Sequence, residues 1–303
     1  MTPPAKFVVI TPVRNEAGRI AATIEGMLAQ TLQPAQWIVV DDGSSDGTAQ
    51  IVGEAASSHP WIRLLRRPDR GFRRPGTGVM EAFHDGLREV RDPDWEFLAK
   101  LDGDLSFAPD YFERCLERFR ADPKLGIGGG VVCSPGAGAT IPESRGDPAF
   151  HVRGATKIYR RACWEAIGGL IGTTGWDTMD ELKANMLGWR TASFPGLNVV
   201  QSRKTGGADG VWRNYFKNGR ANYIVGYQPL FMAAKCLKRV GERPYGLVAL
   251  ALGCGFVSGY LMGVPRPRER DVVRYLRNQQ ILALLGRECL WNPRSPDPKA
   301  PAG

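Results

Sequence analysis

Two carboxylates, Asp102 and Asp104, stand one residue apart at the end of a short apolar run, Phe97 to Leu101, with Gly103 between them. Strand side chains repeat every two residues, so such a pair points roughly the same way. Close carboxylates repel unless a cation sits between or beside them. Hard oxygen donors at an open site suit Mg²⁺ or Mn²⁺ holding a diphosphate. Gly103 lets the backbone bend and lets a ligand come close. Read without its neighbours, Asp-Gly is also a common solvated turn. Further acids follow other apolar runs: Arg14-Asn15-Glu16 after Lys6–Val13, and Asp41-Asp42 after Trp37–Val40. A last group, Asp177, Asp180 and Glu181, follows Gly175-Trp176. Acids in a first helical turn complement the helix dipole, and a carboxylate there can also take a proton from a hydroxyl.

The elements that must position these residues read as alternating strands and helices. Residues 6–13 form a β-branched strand, and an amphipathic helix over 17–30 follows, with Ile20, Ile24, Met27 and Leu28 on one face. A strand over Trp37–Val40 leads to a helix over 48–56, N-capped by Ser45 or Asp46, and a short strand covers 61–65. A helix over 79–90 turns Met80, Phe83, Leu87 and Val90 inward and returns the chain to the Phe97 run, which reads as a strand covered on both faces. Strands recurring every 25 to 30 residues or so are the mark of parallel βαβ units, an α/β fold. Ligands of such sheets bind at the C-terminal strand ends, where this chain gathers its acids.

Other segments carry secondary signals. Residues 66–78 hold five arginines, three glycines and two prolines, a basic loop suited to closing over phosphates. A helix over 109–120 carries the core stripe Tyr111, Phe112, Cys115, Leu116 and Phe119. Gly126–Cys133 reads as a strand with close backbone contacts. Residues 134–150 form a Gly/Pro-rich loop, and 151–161 a strand-like segment dense in cations.

Composition narrows the class. The chain has 303 residues and a net charge of +9, which suits an anionic ligand, membrane surface or nucleic acid. Six scattered cysteines with no C-x-x-C pair argue against a zinc ribbon or disulfide framework and fit a reducing compartment. Neither H-E-x-x-H nor the P-loop pattern occurs, and Gly126–Cys133 is no dinucleotide fingerprint. The N-terminus lacks the pattern of a signal peptide, so the catalytic part is placed in the cytoplasm.

Four stretches together resemble the family 2 glycosyltransferases: Val9–Glu16, Ile38–Thr48, Leu101–Asp104 and Gly175–Trp189. The resemblance covers about residues 6–200. It implies a GT-A-type nucleotide-diphospho-sugar transferase fold, a mostly parallel sheet flanked by helices. It implies an inverting transfer from a nucleotide-diphospho-sugar to a glycan or lipid-linked acceptor in cell-surface polysaccharide or glycolipid synthesis. By position, Pro12, Arg14 and Glu16 line the nucleotide pocket, Asp42 with Asp41 holds the base, and Lys100 joins the donor-binding set. Asp102 meets the ribose or metal, and Asp104 binds a divalent cation, Mn²⁺ or Mg²⁺. The general base corresponds to Asp177, counted back from Gly188-Trp189. Trp176 stands where the family has Glu, which leaves Asp180 and Glu181 open as alternatives. The family's metal-binding histidine has no counterpart, its place falling near Gln201-Ser202-Arg203.

The implied division is a catalytic domain over 1–202 (donor half 1–105, acceptor half 106–202), a helical extension over 203–292, and a disordered Pro-rich tail over 293–303. Leu247–Val264 is an uncharged run of 18 residues with four glycines, at the short limit for a membrane span of roughly 17 to 25 residues. Residues 266–287 read as a basic amphipathic helix of the kind that lies on anionic lipid. Peripheral contact of 243–287 with the inner face of the cell membrane is the favoured reading, ahead of a buried or dimer-forming helix and of a true span. A homodimer is left open, and nucleic acid is not expected as a partner. Two other readings remain: a nucleotidyltransferase, lacking its Gly-rich loop after the first strand, and an inactive basic membrane-associated module.

Overall fold

The computed structural model describes residues 5–71, 77–135, 140–143, 147–171, 175–202 and 210–293. The middle of the arginine-rich loop, Arg203 and the tail from 294 onward lie outside the described residues. The chain divides into two compact units, Met1–Asp147 with His151–Lys204, and Pro148–Phe150 with Thr205–Gly303.

The first unit is built on one sheet. Its strands are β1 (Phe7–Val13), β2 (Gln36–Asp41), β3 (Ile62–Arg66), β4 (Phe97–Leu101), β5 (Leu105–Phe107), β6 (Leu125–Pro135), β7 (Thr140–Pro142), β8 (Thr156–Arg160) and β9 (Arg190–Gln201). The order is β3-β2-β1-β4-β8-β6-β9-β5, with β7 on the side of β6. Pairing is parallel from β3 to β4, as the βαβ spacing requires. Beyond β4 the sheet is mixed: β8 enters antiparallel between β4 and β6, and β9 runs parallel to β6. The reversal at β8 brings the cation-rich segment beside the Asp102 strand.

Helices α1 (Ile20–Leu28), α2 (Thr48–Ser58), α3 (Thr77–Arg88), α4 (Tyr111–Ala121), α5 (Arg161–Ile167) and α6 (Trp176–Met186) cover both faces. Alternation along β1 sends Phe7, Val9 and Val13 to the core shared with α1, α2 and α4, and Val8 and Ile10 to the core shared with α3, α5 and α6. The Tyr111, Phe112, Cys115, Leu116 and Phe119 stripe of α4 is fully buried. Each such side chain contributes about 1.5–3 kcal/mol. Alternation also decides where two lysines go. Lys100 shares the face of Leu98, and Lys157 that of Tyr159, so both point to the core on the α6 side.

The second unit holds α7 (Gly210–Val225), α8 (Pro229–Lys238), α9 (Leu247–Leu261) and α10 (Arg270–Leu284). The glycines of the apolar run have a packing reason. A Cβ at Gly255 would sit 2.0 Å from the Phe216 carbonyl oxygen, and one at Gly219 would sit 2.0 Å from that of Leu252. The α7 and α9 backbones therefore touch at a seam of small residues. Among the described residues no helix is long and apolar enough to cross a membrane. Only one face of α9 is buried; Leu250, Val257 and Leu261 are exposed.

Candidate active site

The turns after β1 and β2 hold each other. The Asn15 amide donates to the Ser44 hydroxyl at 2.9 Å, and the Asn15 side-chain oxygen accepts from the Ser45 amide at 2.9 Å. The Glu16 amide donates to Thr48 Oγ1 at 2.8 Å and the Ala17 amide to Asp46 at 3.1 Å. Asn15 adopts a left-handed φ of 54° to do this, a conformation its short polar side chain tolerates. The expected cap thus has a second task. Asp46 accepts from the Thr48 amide but also binds across to the first turn, while Gly47 occupies the cap position without a side-chain bond.

Pro12, Arg14, Glu16, Asp41 and Asp42 come together on this rim, with Pro12 opposite Val40 and Val13 opposite Asp41. Arg14 donates to the Asp42 carbonyl at 2.8 Å and to the Asp69 carboxylate at 2.7 Å. Asp41 is buried and accepts from the Ser44 amide at 3.0 Å. Asp42 is buried and paired with both Arg67 and Arg70. Arg67 also reaches Asp85 at 2.6 Å, and Arg70 pairs with Glu81. The described part of the basic loop therefore departs from the expected phosphate clamp. Its cations at 67 and 70 are spent on Asp42, just after β2, and on acids of α3.

At the end of β4, Asp102 and Asp104 are each met by a donor. Lys100, 3% exposed, pairs with Asp102. The Gln201 side-chain amide donates to both carboxylate oxygens of Asp104, at 3.2 and 3.3 Å. Gln201 therefore stands opposite Asp104, near where the resemblance puts the family's histidine. Gly103 is required by its own fold neighbours, since a Cβ there would lie 2.5 Å from Val13 and 3.1 Å from Ile20. Among the described residues no group of three His, Cys, Asp or Glu side chains gathers as a metal site. The carboxylates of Asp102 and Asp104 are hard oxygen donors all the same, the type that would suit Mg²⁺ or Mn²⁺.

The acids after Gly175 separate in depth. Lys157 is completely buried and donates to Asp180 at 2.8 and 3.0 Å, lies 2.8 Å from Glu181, and reaches the Asp177 carbonyl. Asp180 accepts as well from Tyr159 at 2.6 Å and from the Glu181 amide at 2.7 Å. Glu181 accepts from the Val152 amide at 2.7 Å and pairs with His151 at 2.9 Å. Asp180 and Glu181 are therefore sealed in a charge cluster, away from any incoming hydroxyl. The expectation that Asp180 takes a catalytic part does not fit its burial. Asp177, in the first turn of α6, is only partly buried, and its carboxylate has no protein partner among the described residues.

Trp176 joins the two sides of the rim. Lys100 and Lys157 are directly opposed across β4 and β8, an arrangement that is repulsive by itself. Each has an acid, and the Trp176 ring lies 5.6 Å from Lys100 and 5.5 Å from Lys157. Cation–π attraction of this kind is worth about 2 kcal/mol when desolvated. An aromatic ring in place of the family's Glu is thus matched to two buried cations.

Burial pushes the Asp180 carboxyl up to about 6, against the pull of Lys157. Burial would lower His151, but the Glu181 carboxylate beside it, with help from Asp177, raises it to about 9. Protonated His151 and Lys157 then balance Asp180 and Glu181. A raised histidine stabilises the fold fully below its unfolded value near 6.5 and loses that contribution as pH rises through about 9. His151→Gln is expected to lower stability by on the order of 2 kcal/mol at pH 6 and by little at pH 10. Thermal melts of both proteins across this range check it; a gap that widens with pH would refute the assignment.

The glycosyl transferase family 2 pattern matches residues 8–176, more than half of the chain. The chain belongs to glycosyl transferase family 2. Relatives similar to it include chondroitin synthase of Escherichia coli, 29% identical over 39% of this chain and 16% of that protein. Polyprenol monophosphomannose synthase of Mycolicibacterium smegmatis is 29% identical over 43% of this chain and 47% of that protein. The chain spans only a minor part of the length of curated relatives that it matches. In fold it is similar to the mannosyltransferase PcManGT of Pyrobaculum calidifontis, solved with GDP-Man and Mn²⁺. That likeness has a TM-score of 0.55 at 20% identity, covering 95% of this chain and 89% of the other. It is also similar to TarS 1–349 of S. aureus, solved with UDP-GlcNAc, at a TM-score of 0.52 and 18% identity, covering 92% of this chain and 81% of the other. The fold is that of GT-A glycosyltransferases. The family 2 match ends one residue before Asp177, so the acceptor-side assignment rests on geometry and on the resemblance.

Proposed function

We propose that the protein is an inverting glycosyltransferase that moves a sugar from a nucleotide-diphospho-sugar to a hydroxyl of a glycan or lipid-linked acceptor, in cell-surface glycan synthesis. The observation that carries this reading is the rim itself. Donor-side acids, Asp102 and Asp104, and an acceptor-side acid, Asp177, whose carboxylate has no hydrogen-bond or ion-pair partner among the described residues, are joined through Lys100 and Trp176. Asp41 and Asp42 offer the base-binding end, with Pro12, Arg14 and Glu16 beside them. Asp104, with Asp102, would hold a divalent cation, which neutralises the leaving diphosphate when bound. Lys100 keeps Asp102 oriented. Asp177 takes the acceptor's proton as the oxygen attacks the anomeric carbon from the face opposite the diphosphate. That geometry inverts the anomeric centre.

A thermal-shift screen of UDP-, GDP- and dTDP-sugars with and without Mn²⁺ tests the donor class. One of them is expected to stabilise the protein, and more so with the ion. Asp104→Asn is expected to abolish the ion-dependent part and the Mn²⁺-dependent hydrolysis of the donor, with the melting temperature of the free protein unchanged. Full activity in Asp104→Asn would remove the cation from this reading, and no response to any donor would remove the reading altogether.

A further inference from the structure

The second unit carries a cleft of about 520 Å³ whose lining includes Arg266, Arg270, Arg274 and Arg277, with Pro267 and Val273 as its apolar part. Two of these arginines are fixed. The Arg266 guanidinium stacks 4.1 Å from the Tyr223 ring and 5.0 Å from that of Tyr260, and its Nε donates to the Tyr223 carbonyl at 3.2 Å. One terminal nitrogen of Arg266 is buried and without an acceptor among the described residues. Arg277 donates through Nε to the Gly226 carbonyl at 2.9 Å. The Nε bonds anchor both forks. The other two are exposed, and the acid nearest to them in pairing, Asp271, is 3.7 Å from Arg274 and exposed itself. Glu269 at the start of α10 leaves the balance of this segment positive. Planar forks with free donors match the oxygens of a phosphate group. Four residues before Arg266 in the chain, the end of α9 leaves Leu261 and Met262 82% and 68% exposed, an apolar tip.

We propose that this cleft binds a phosphate group, carried either by a lipid headgroup or by a soluble phosphorylated molecule. The proposal is independent of the transfer reaction and uses none of its residues. Anchored arginines with an unsatisfied buried nitrogen distinguish it from a diffusely basic surface, and the apolar tip suits a phosphate presented at a membrane.

The test uses the full chain in two arms. In one, flotation with phosphatidylcholine vesicles, with and without phosphatidic acid, reads the lipid source. In the other, titration with pyrophosphate reads the soluble source. Arg270→Ala with Arg274→Ala removes two charges from the cleft, and Lys238→Ala with Arg287→Ala removes two exposed charges elsewhere in the unit. The cleft variant is expected to bind phosphatidic-acid vesicles about thirtyfold more weakly, with the other variant closer to wild type. Pyrophosphate binding that is lost in the cleft variant, without vesicle binding, assigns the site to a soluble phosphate. Equal losses in the two variants, equal binding to phosphatidylcholine alone, or no binding in either arm would overturn the proposal.

Discussion

Asp177→Asn is expected to lower the rate of sugar transfer by about 10²- to 10⁴-fold while leaving donor binding and stability intact. An acceptor hydroxyl is a weak nucleophile at neutral pH, and it needs a base within reach as the new bond forms. Asn keeps the shape and removes the basicity. The position is well held, because Lys157 binds the Asp177 main-chain carbonyl and not its carboxylate. Asp180 and Glu181 give the contrast. Their oxygens are already taken by Lys157, Tyr159, His151 and main-chain amides. Asp180→Asn is therefore expected to cost stability first. Turnover with saturating donor and acceptor, measured beside thermal shifts with the donor, separates the two. Full turnover in Asp177→Asn, or its loss in a stably folded Asp180→Asn, would move the base to the buried acid.

Depth is what residue spacing could not provide here. Asp177, Asp180 and Glu181 lie three and four positions apart, on one side of a helix, so the pattern leaves them equivalent. They differ because β8 threads between β4 and β6 and brings Lys157 and Tyr159 to the carboxylates of the second turn of α6, while in the first turn Lys157 meets the Asp177 carbonyl. The same limit applies to Arg67 and Arg70. Their loop composition favours anions, and the anions they meet are Asp42 and two acids one turn apart on α3, which only the packing of α3 against the sheet brings near. By contrast β1, β2, β4 and the α4 stripe were readable directly, because periods of two and of 3.6 report burial without needing a partner. Gln201 was half legible: its place was located, but its role opposite Asp104 depends on the β5–β9 pairing. The Leu247–Val264 run shows the opposite failure. Its hydrophobicity is that of a marginal span, while its glycines answer to α7, which nothing in the run itself names.

Lys157→Met should be the most destabilising single change in the first unit, at about 3–5 kcal/mol. Met keeps the length of the side chain and removes the charge. Asp180 and Glu181, both 0% exposed at their side chains, would then share the space with His151 as their remaining cation among the described residues. A carboxylate left without its cation in a closed core costs far more than the lost contact itself. The Asp177 carbonyl would also lose its donor, so turnover should fall along with stability, in contrast to the stable Asp177→Asn protein. A second change decides whether charge or packing is responsible. Adding Asp180→Asn to Lys157→Met removes one of the stranded charges, and the pair should be more stable than Lys157→Met alone, a coupling that neighbouring groups in one network show. Chemical denaturation of the four proteins in this cycle gives the coupling directly. If Lys157→Met melts with the wild type, or if the two losses simply add, the cluster is not held by its charges, and Asp177 is positioned by something other than Lys157.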